Sequence, residues 1–282
     1  MKKKTMKIVS LMAAAVMSMG ILAGCGEKPA DNTANTDATP AAQQTTGGEL
    51  IMGTNAAFPP FEFVTSKGIV GEFDGIDIAI ADKIAKSMDK TLRVEDMEFE
   101  GLVAAVQMGK VDMAVAGMTV TEDRKKNVDF SDTYYVAAQN IVVAKDNTTI
   151  NSAADLKNVK KVGVVQGYTG DGIVTDDLKL SENQILRVSR GIDAVQELKN
   201  GKLDAVVIDS ATGKALAEKN DLKVVEDPEV FEKEEYAIAV KKGNTELLEK
   251  INATIAEMKA NGEIDALAEK YNSETPAEAP AE

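Results

Sequence analysis

Residues 112–124 read Asp112-Met113-Ala114-Val115-Ala116-Gly117-Met118-Thr119-Val120-Thr121-Glu122-Asp123-Arg124. The run 112–116 has the length and apolar character of a buried strand. Gly117 then lets the chain turn and lets a ligand approach the backbone. Thr121 ahead of Glu122 and Asp123 supplies a capping hydroxyl and two acids for the first turn of a helix. This strand–turn–helix unit recurs in both directions. Apolar, β-branched runs predict strands at residues 50–54, 91–95, 112–116, 140–143, 161–165, 184–188, 203–208 and 236–240. Amphipathic segments predict helices at 76–88, 101–108, 122–127, 153–156, 170–178, 191–200, 211–219, 245–260 and 263–270. Ile76, Ile80, Ile84 and Met88 fall on one helical face, as do Leu247, Ile251, Ile255 and Met258. Asn261-Gly262 supplies a helix stop. Alternating strands and helices point to an α/β chain whose parallel sheets are covered on both faces.

The flanks of this region have other characters. Lys2, Lys3, Lys4 and Lys7 precede an apolar stretch of 15 residues, 8–22, which is short against the ~20 needed to span a bilayer. With small residues behind it, this is an export signal. The stretch closes on Leu22-Ala23-Gly24-Cys25, which looks like a bacterial lipobox, so Cys25 is the expected lipid-attachment site and new N-terminus, rather than a free thiol behind an ordinary signal. It is the only cysteine, so no disulfide framework competes for it. Residues 1–24 are thus read as a signal peptide. Residues 25–48 contain nothing apolar larger than alanine beyond Cys25 and read as a flexible tether with a reach of roughly 25–30 Å. Residues 273–282 (SETPAEAPAE) read as a disordered tail, leaving 49–272 to fold.

The signal carries four of the 32 basic residues and none of the 46 acidic ones, so the remainder holds 28 against 46, a net charge of −18. That balance repels phosphate backbones and excludes nucleic acid as a partner. With no histidine and a committed cysteine, histidine-based triads and nearly all zinc sites are excluded. No metal or cofactor is expected.

Ligands of open α/β sheets bind beyond the carboxyl ends of strands, and three such ends are unusual. The first holds Asn55, Phe58, Pro59 and Pro60; three of the seven phenylalanines lie within residues 58–63, where the prolines stiffen a loop that can present a ring. Core packing is the competing reading, above all for Phe61 and Phe63. The second holds Gly117, Thr119 and Arg124, whose guanidinium can grip a carboxylate through two hydrogen bonds or pair with Glu122, Asp123 or Asp129. The third, Gln166-Gly167-Tyr168-Thr169-Gly170, opens a helix with free N–H groups suited to an anion, without the lysine and Ser/Thr of a phosphate loop. Asp209 follows the strand 203–208 as its first polar residue. It is placed either to cap the next helix or to face an ammonium.

Together these stretches resemble the family-3 (polar amino acid) solute-binding proteins of ABC importers. The resemblance runs through residues 53–62 (GTNAAFPPFE), 72–79 (EFDGIDIA), 117–124 (GMTVTEDR), 128–135 (VDFSDTYY), 162–169 (VGVVQGYT) and 203–209 (LDAVVID). It implies a two-lobe α/β fold of the type II periplasmic-binding-protein kind. Each lobe would be a mostly parallel sheet with flanking helices, and two crossover strands would form the hinge. One lobe would be 49–135 plus 237–272, the other 138–234. By the same resemblance Arg124 holds the ligand α-carboxylate with help from Thr119 and main-chain groups at Gly117 and Thr169. Asp209 takes the α-ammonium, and Phe58 and Phe99 sandwich the side chain. Asn55 stands where relatives with cationic ligands carry an acid, which favours a neutral polar amino acid. Gln166 joins the ligand-binding set, while Tyr168 and Val165 occupy variable positions. The implied partners are a free amino acid, an ABC permease and, through Cys25, the lipid bilayer at the extracytoplasmic face, with the protein a monomer. Two rivals share this fold: a ligand sensor for a membrane receptor, and a dehydratase-type enzyme using Glu62, Glu98, Glu100 or Asp171 as general acid.

Overall fold

The computed structural model describes residues 47–273. The expected signal, Cys25, the tether up to residue 46 and the tail from residue 274 lie outside the described residues; Ser273, placed in that tail, is instead the last residue of the helix Glu263–Ser273.

The first five-stranded sheet runs Thr91–Asp96, Glu49–Thr54, Met113–Ala114, Ala239–Lys241, Val128–Phe130 from edge to edge. The second runs Ile185–Val188, Val162–Val165, Ala205–Asp209, Gln139–Ala144, Leu222–Val225. Two strands cross between them, Tyr135–Ala137 and Glu234–Tyr236, paired antiparallel through Glu234↔Ala137 and Tyr236↔Tyr135. This crossing changes the character expected of the sheets. In each, the three strands of the β–α repeats pair in parallel, but the other two pairings are antiparallel. The reason is connectivity: Gln139–Ala144 and Ala239–Lys241 enter straight from a crossing strand, without a helix to bring the chain back round. A further small hairpin sheet joins Ala57–Phe58, Glu62–Val64 and Phe73–Asp74.

Period-2 alternation divides the second sheet between two cores. Val142, Val206 and Ile208 pack into the large core that also fills the first sheet. Ile141, Val143, Ala205 and Val207 face a second core with Ile150, Leu156 and Val174. A sheet buried on both faces reads as an unbroken apolar run, as in Val206-Val207-Ile208. The predicted helical stripes are the buried ones: Ile76, Ile80, Ile84, Ile251 and Ile255 are fully buried, as the helices Ile76–Ser87 and Thr245–Ala260 pack on each other. Met88 is the exception, half-buried at the helix end. Thr121 caps its helix as expected, in an extended conformation with Oγ1 accepting from the Arg124 N–H at 3.2 Å.

Candidate functional site

The carboxyl ends of the two sheets face each other, and their side chains enclose a cavity of about 10 Å³, near the minimum for one water. Phe58, Phe99, Gly117, Thr119, Arg124, Thr169 and Asp209 line it together with Ala116 and Tyr168. Seven of the nine expected ligand residues are thus brought together. A groove of about 980 Å³ shares Thr119, Arg124, Tyr168 and Thr169 with this cavity and leads from it to solvent.

Arg124 projects from the short helix Glu122–Lys125. Its Nη1 donates to the Thr119 carbonyl at 2.6 Å and its Nη2 to the Gly167 carbonyl at 3.0 Å, so one guanidinium ties strand ends of both sheets. The ring of Phe99 lies beneath it at 5.0 Å, a cation–π contact. Burial draws Arg124 below its ordinary pKa, opposed by the charges of Asp209 and Glu234.

Asp209 occupies the capping position of the helix Ser210–Lys219 but makes no side-chain cap bond. Its carboxylate is turned into the cavity instead, accepting from the Tyr236 hydroxyl at 2.7 Å. Burial, reinforced by the Glu234 charge, pushes its pKa up to about 7.

Gly117 shows why a glycine ends this strand. Its φ is +51°, and a Cβ there would lie 2.5 Å from the Phe58 ring. Its N–H is already spent, donating to Asp77 Oδ2 at 2.7 Å, so only its carbonyl is left for a ligand. Asp77 also accepts from the Tyr134 hydroxyl at 2.8 Å. Behind it sits Glu62, and both acids are fully buried. Neither Glu62 oxygen meets an N–H donor, and its neighbours are the Asp77 carboxylate and the Thr54 hydroxyl. An acid so placed is held in its protonated form, whose O–H can donate to Asp77. Burial and the Asp77 charge raise Glu62 well above its ordinary value, and burial raises Asp77 to about 6.

Two expected residues sit elsewhere. Asn55 is buried, its amide donating to the Met97 carbonyl at 2.9 Å and accepting from the Tyr168 hydroxyl at 3.3 Å; it supports Tyr168 from behind and does not line the cavity. Gln166 is exposed at the turn and does not reach the cavity. Four residues were not expected. Tyr168 packs edge-on against Phe58 and Phe99, with centroids 5.4 and 4.5 Å away. Tyr236 holds Asp209. Glu234 accepts from Thr119 Oγ1 at 2.6 Å and from Thr169 Oγ1 at 2.8 Å, and Gln139 Nε2 donates to it at 3.2 Å. Glu98 and Glu100 are exposed, Asp171 is ion-paired with Arg187 at 2.8 Å, and Glu62 is fully buried and does not line the cavity.

Residues 50–274 match the profile of the bacterial extracellular solute-binding proteins, family 3. The chain belongs to this family. Among relatives of this solute-binding protein, a probable histidine-binding protein of Neisseria gonorrhoeae is 34% identical over 263 residues, covering 93% of this chain and 94% of its own. The ABC transporter glutamine-binding protein of Bacillus subtilis is 33% identical over 279 residues, 96% of this chain and 99% of its own. The solved structure of an ancestral arginine-binding protein bound to glutamine superposes with a TM-score of 0.72 at 44% identity, covering 80% of this chain and 98% of that one. The architecture is accordingly the two-lobe, type II fold of amino-acid-binding proteins.

Proposed function

We propose that this solute-binding protein captures one free amino acid by closing two lobes over it and delivers it to an ABC permease. The observation that carries the reading is the pairing of Arg124 and Asp209. These opposite charges come from strand ends of different sheets and face one cavity too small to admit an amino acid unless its walls part. Only the closed form offers a zwitterion both partners at once, and such differential contact shifts an open–closed equilibrium. The division of the sheets supports lobes of 49–135 plus 237–272 and 138–234, hinged at the two crossing strands.

In this reading Arg124 takes the α-carboxylate, Asp209 and the Gly117 carbonyl take the α-ammonium, and Phe58, Phe99 and Tyr168 form the apolar walls. The relatives' names span histidine, glutamine and arginine. Arg124 and Asp209, both spent on the ligand's backbone groups, are the charged side chains lining the cavity, which supports a neutral polar amino acid. The four acids that a dehydratase would require lie off the cavity, which supports capture without turnover. Cys25 carries a lipid that keeps the protein at the extracytoplasmic membrane face as a monomer, where tethering raises its effective concentration at the permease. Calorimetry with a panel of L-amino acids tests the assignment. The wild type binds one or a few of them, and Arg124→Ala loses ~2–5 kcal/mol of affinity, the cost of stranding a charge in a dry site. Near-wild-type affinity in a folded Arg124→Ala protein refutes it.

A further inference from the structure

We infer that Glu234 is a positioning residue that sets which end of the amino acid each threonine of the site can bind. It belongs to the crossing strand Glu234–Tyr236 rather than to any of the strand ends that line the cavity. The inference rests on reading the cavity as a zwitterion site.

The number of protons on each group decides where each hydroxyl points. A threonine hydroxyl has one proton and two lone pairs, and an ionised carboxylate only accepts. Thr169 Oγ1 accepts from Gln139 Nε2 at 3.0 Å, so its single proton is free to go elsewhere, and the nearby acceptor is Glu234 Oε2 at 2.8 Å. The Thr119 hydroxyl donates to the same oxygen at 2.6 Å. Gln139 fixes the other oxygen, donating to Oε1 at 3.2 Å. Three donors thus converge on Glu234 from Thr119 beside the first sheet and from Gln139 and Thr169 of the second. With their protons committed, the two hydroxyls have only lone pairs left to offer the cavity they line.

This reverses the role expected for Thr119. A hydroxyl that presents lone pairs cannot donate to a ligand carboxylate, but it can accept from an ammonium, the same job as Asp209. The cavity is therefore polarised. Arg124 is its donor pole, and Thr119, Thr169 and Asp209 are its acceptor pole. Glu234 enforces the division without touching the ligand.

The test compares binding of the tightest of L-glutamine, L-histidine and L-arginine with binding of the same molecule lacking its α-ammonium. Displacement titrations on wild type, Glu234→Ala and Glu234→Gln give the ratio of the two affinities. Glutamine can keep both hydroxyls pointed away through its amide oxygen, while Gln139 turns its own oxygen to meet the new N–H and gives up its bond to Thr169, whose proton keeps an amide oxygen to point at. The ratio is expected to fall about 10- to 100-fold in Glu234→Ala, the scale of one or two charge-assisted hydrogen bonds, and to stay within about threefold of wild type in Glu234→Gln. Equal weakening of both probes in Glu234→Ala would mean a simple latch and overturns the inference. So would an equal loss of the ratio in the glutamine variant, which would assign the effect to charge alone. A second measurement needs no ligand: proton NMR should show slowly exchanging hydroxyl protons of Thr119 and Thr169 in the wild type that vanish in Glu234→Ala. If the wild type binds no amino acid, the zwitterion reading fails, and the hydroxyl protons still decide whether Glu234 holds them; their absence in the wild type overturns the proposal.

Discussion

Lowering the pH from 7 to 5 should weaken amino-acid binding about 50-fold, and Asp209 is the cause. Its pKa stands at about 7 against an ordinary 3.8, because it is buried and close to the Glu234 charge. Below pH 7 the cavity therefore holds Asp209 protonated. An arriving ammonium needs the carboxylate, so binding must expel that proton, and each pH unit below 7 costs about a factor of ten. Since Asp209 is already half protonated at pH 7, the step to pH 5 corresponds to about 2.3 kcal/mol. Above pH 7 the carboxylate is already formed and the affinity levels off. The unliganded protein should move the other way. For a carboxyl group with a raised folded-state pKa, stability is fully present below the unfolded value near 4 and is lost as pH rises through 7. Ligand affinity and unliganded stability should thus run in opposite directions between pH 5 and 7. Calorimetry in buffers of different ionisation enthalpy reads both the affinity and the protons released, which should approach one at pH 5. Asp209→Asn, which carries no titrating proton and keeps an oxygen for the Tyr236 hydroxyl, should melt above wild type at pH 8 and near it at pH 5. An affinity that is flat from pH 5 to 7, or proton uptake on binding, refutes the reasoning.

Glu62→Gln should show a shallower loss of stability than wild type as pH rises from 5 to 8. The wild-type acid is held protonated by burial and Asp77, and it loses that contribution as pH climbs toward its raised folded value, whereas the amide donates at every pH. Urea midpoints of the two proteins that fall in parallel would contradict a buried Glu62 held in its protonated form. Gly117→Ala should lose about 2–4 kcal/mol of stability, because its methyl would sit 2.5 Å from the Phe58 ring on a backbone with φ of +51°. An unchanged urea midpoint would show that the ring can move away freely.

Much of the fold could be read from the chain because its signals are local. The helix Thr245–Ala260 was placed to the residue, since an apolar stripe and the Asn261-Gly262 stop lie within one short span. Val128–Phe130 and Leu222–Val225 were missed, being three or four residues long and carrying a charged position that dilutes any period. The run 236–240 was read as one strand although it is two, Glu234–Tyr236 in the crossing ladder and Ala239–Lys241 in the first sheet. Unbroken hydrophobicity marks burial but does not say which sheet buries it.

The site divides along the same line. Arg124, Thr119 and Gly117 are neighbours in sequence, and Asp209 ends a strand that announces itself, so each was legible from local pattern. Glu234 gave no such signal. Lys233-Glu234-Glu235 looks like a solvated charge cluster, and Glu235 beside it is exposed. What separates the two acids is that strand pairing turns alternate residues to opposite faces. Glu234 then meets Thr119, 115 residues away, and Thr169, 65 residues away. Its partners are themselves brought together only when the second crossing strand passes between the strand ends of both sheets. A residue that acts through hydroxyls supplied by distant parts of the chain has no motif of its own: its three donors come from both sets of strand ends and are neighbours of Glu234 in the fold alone.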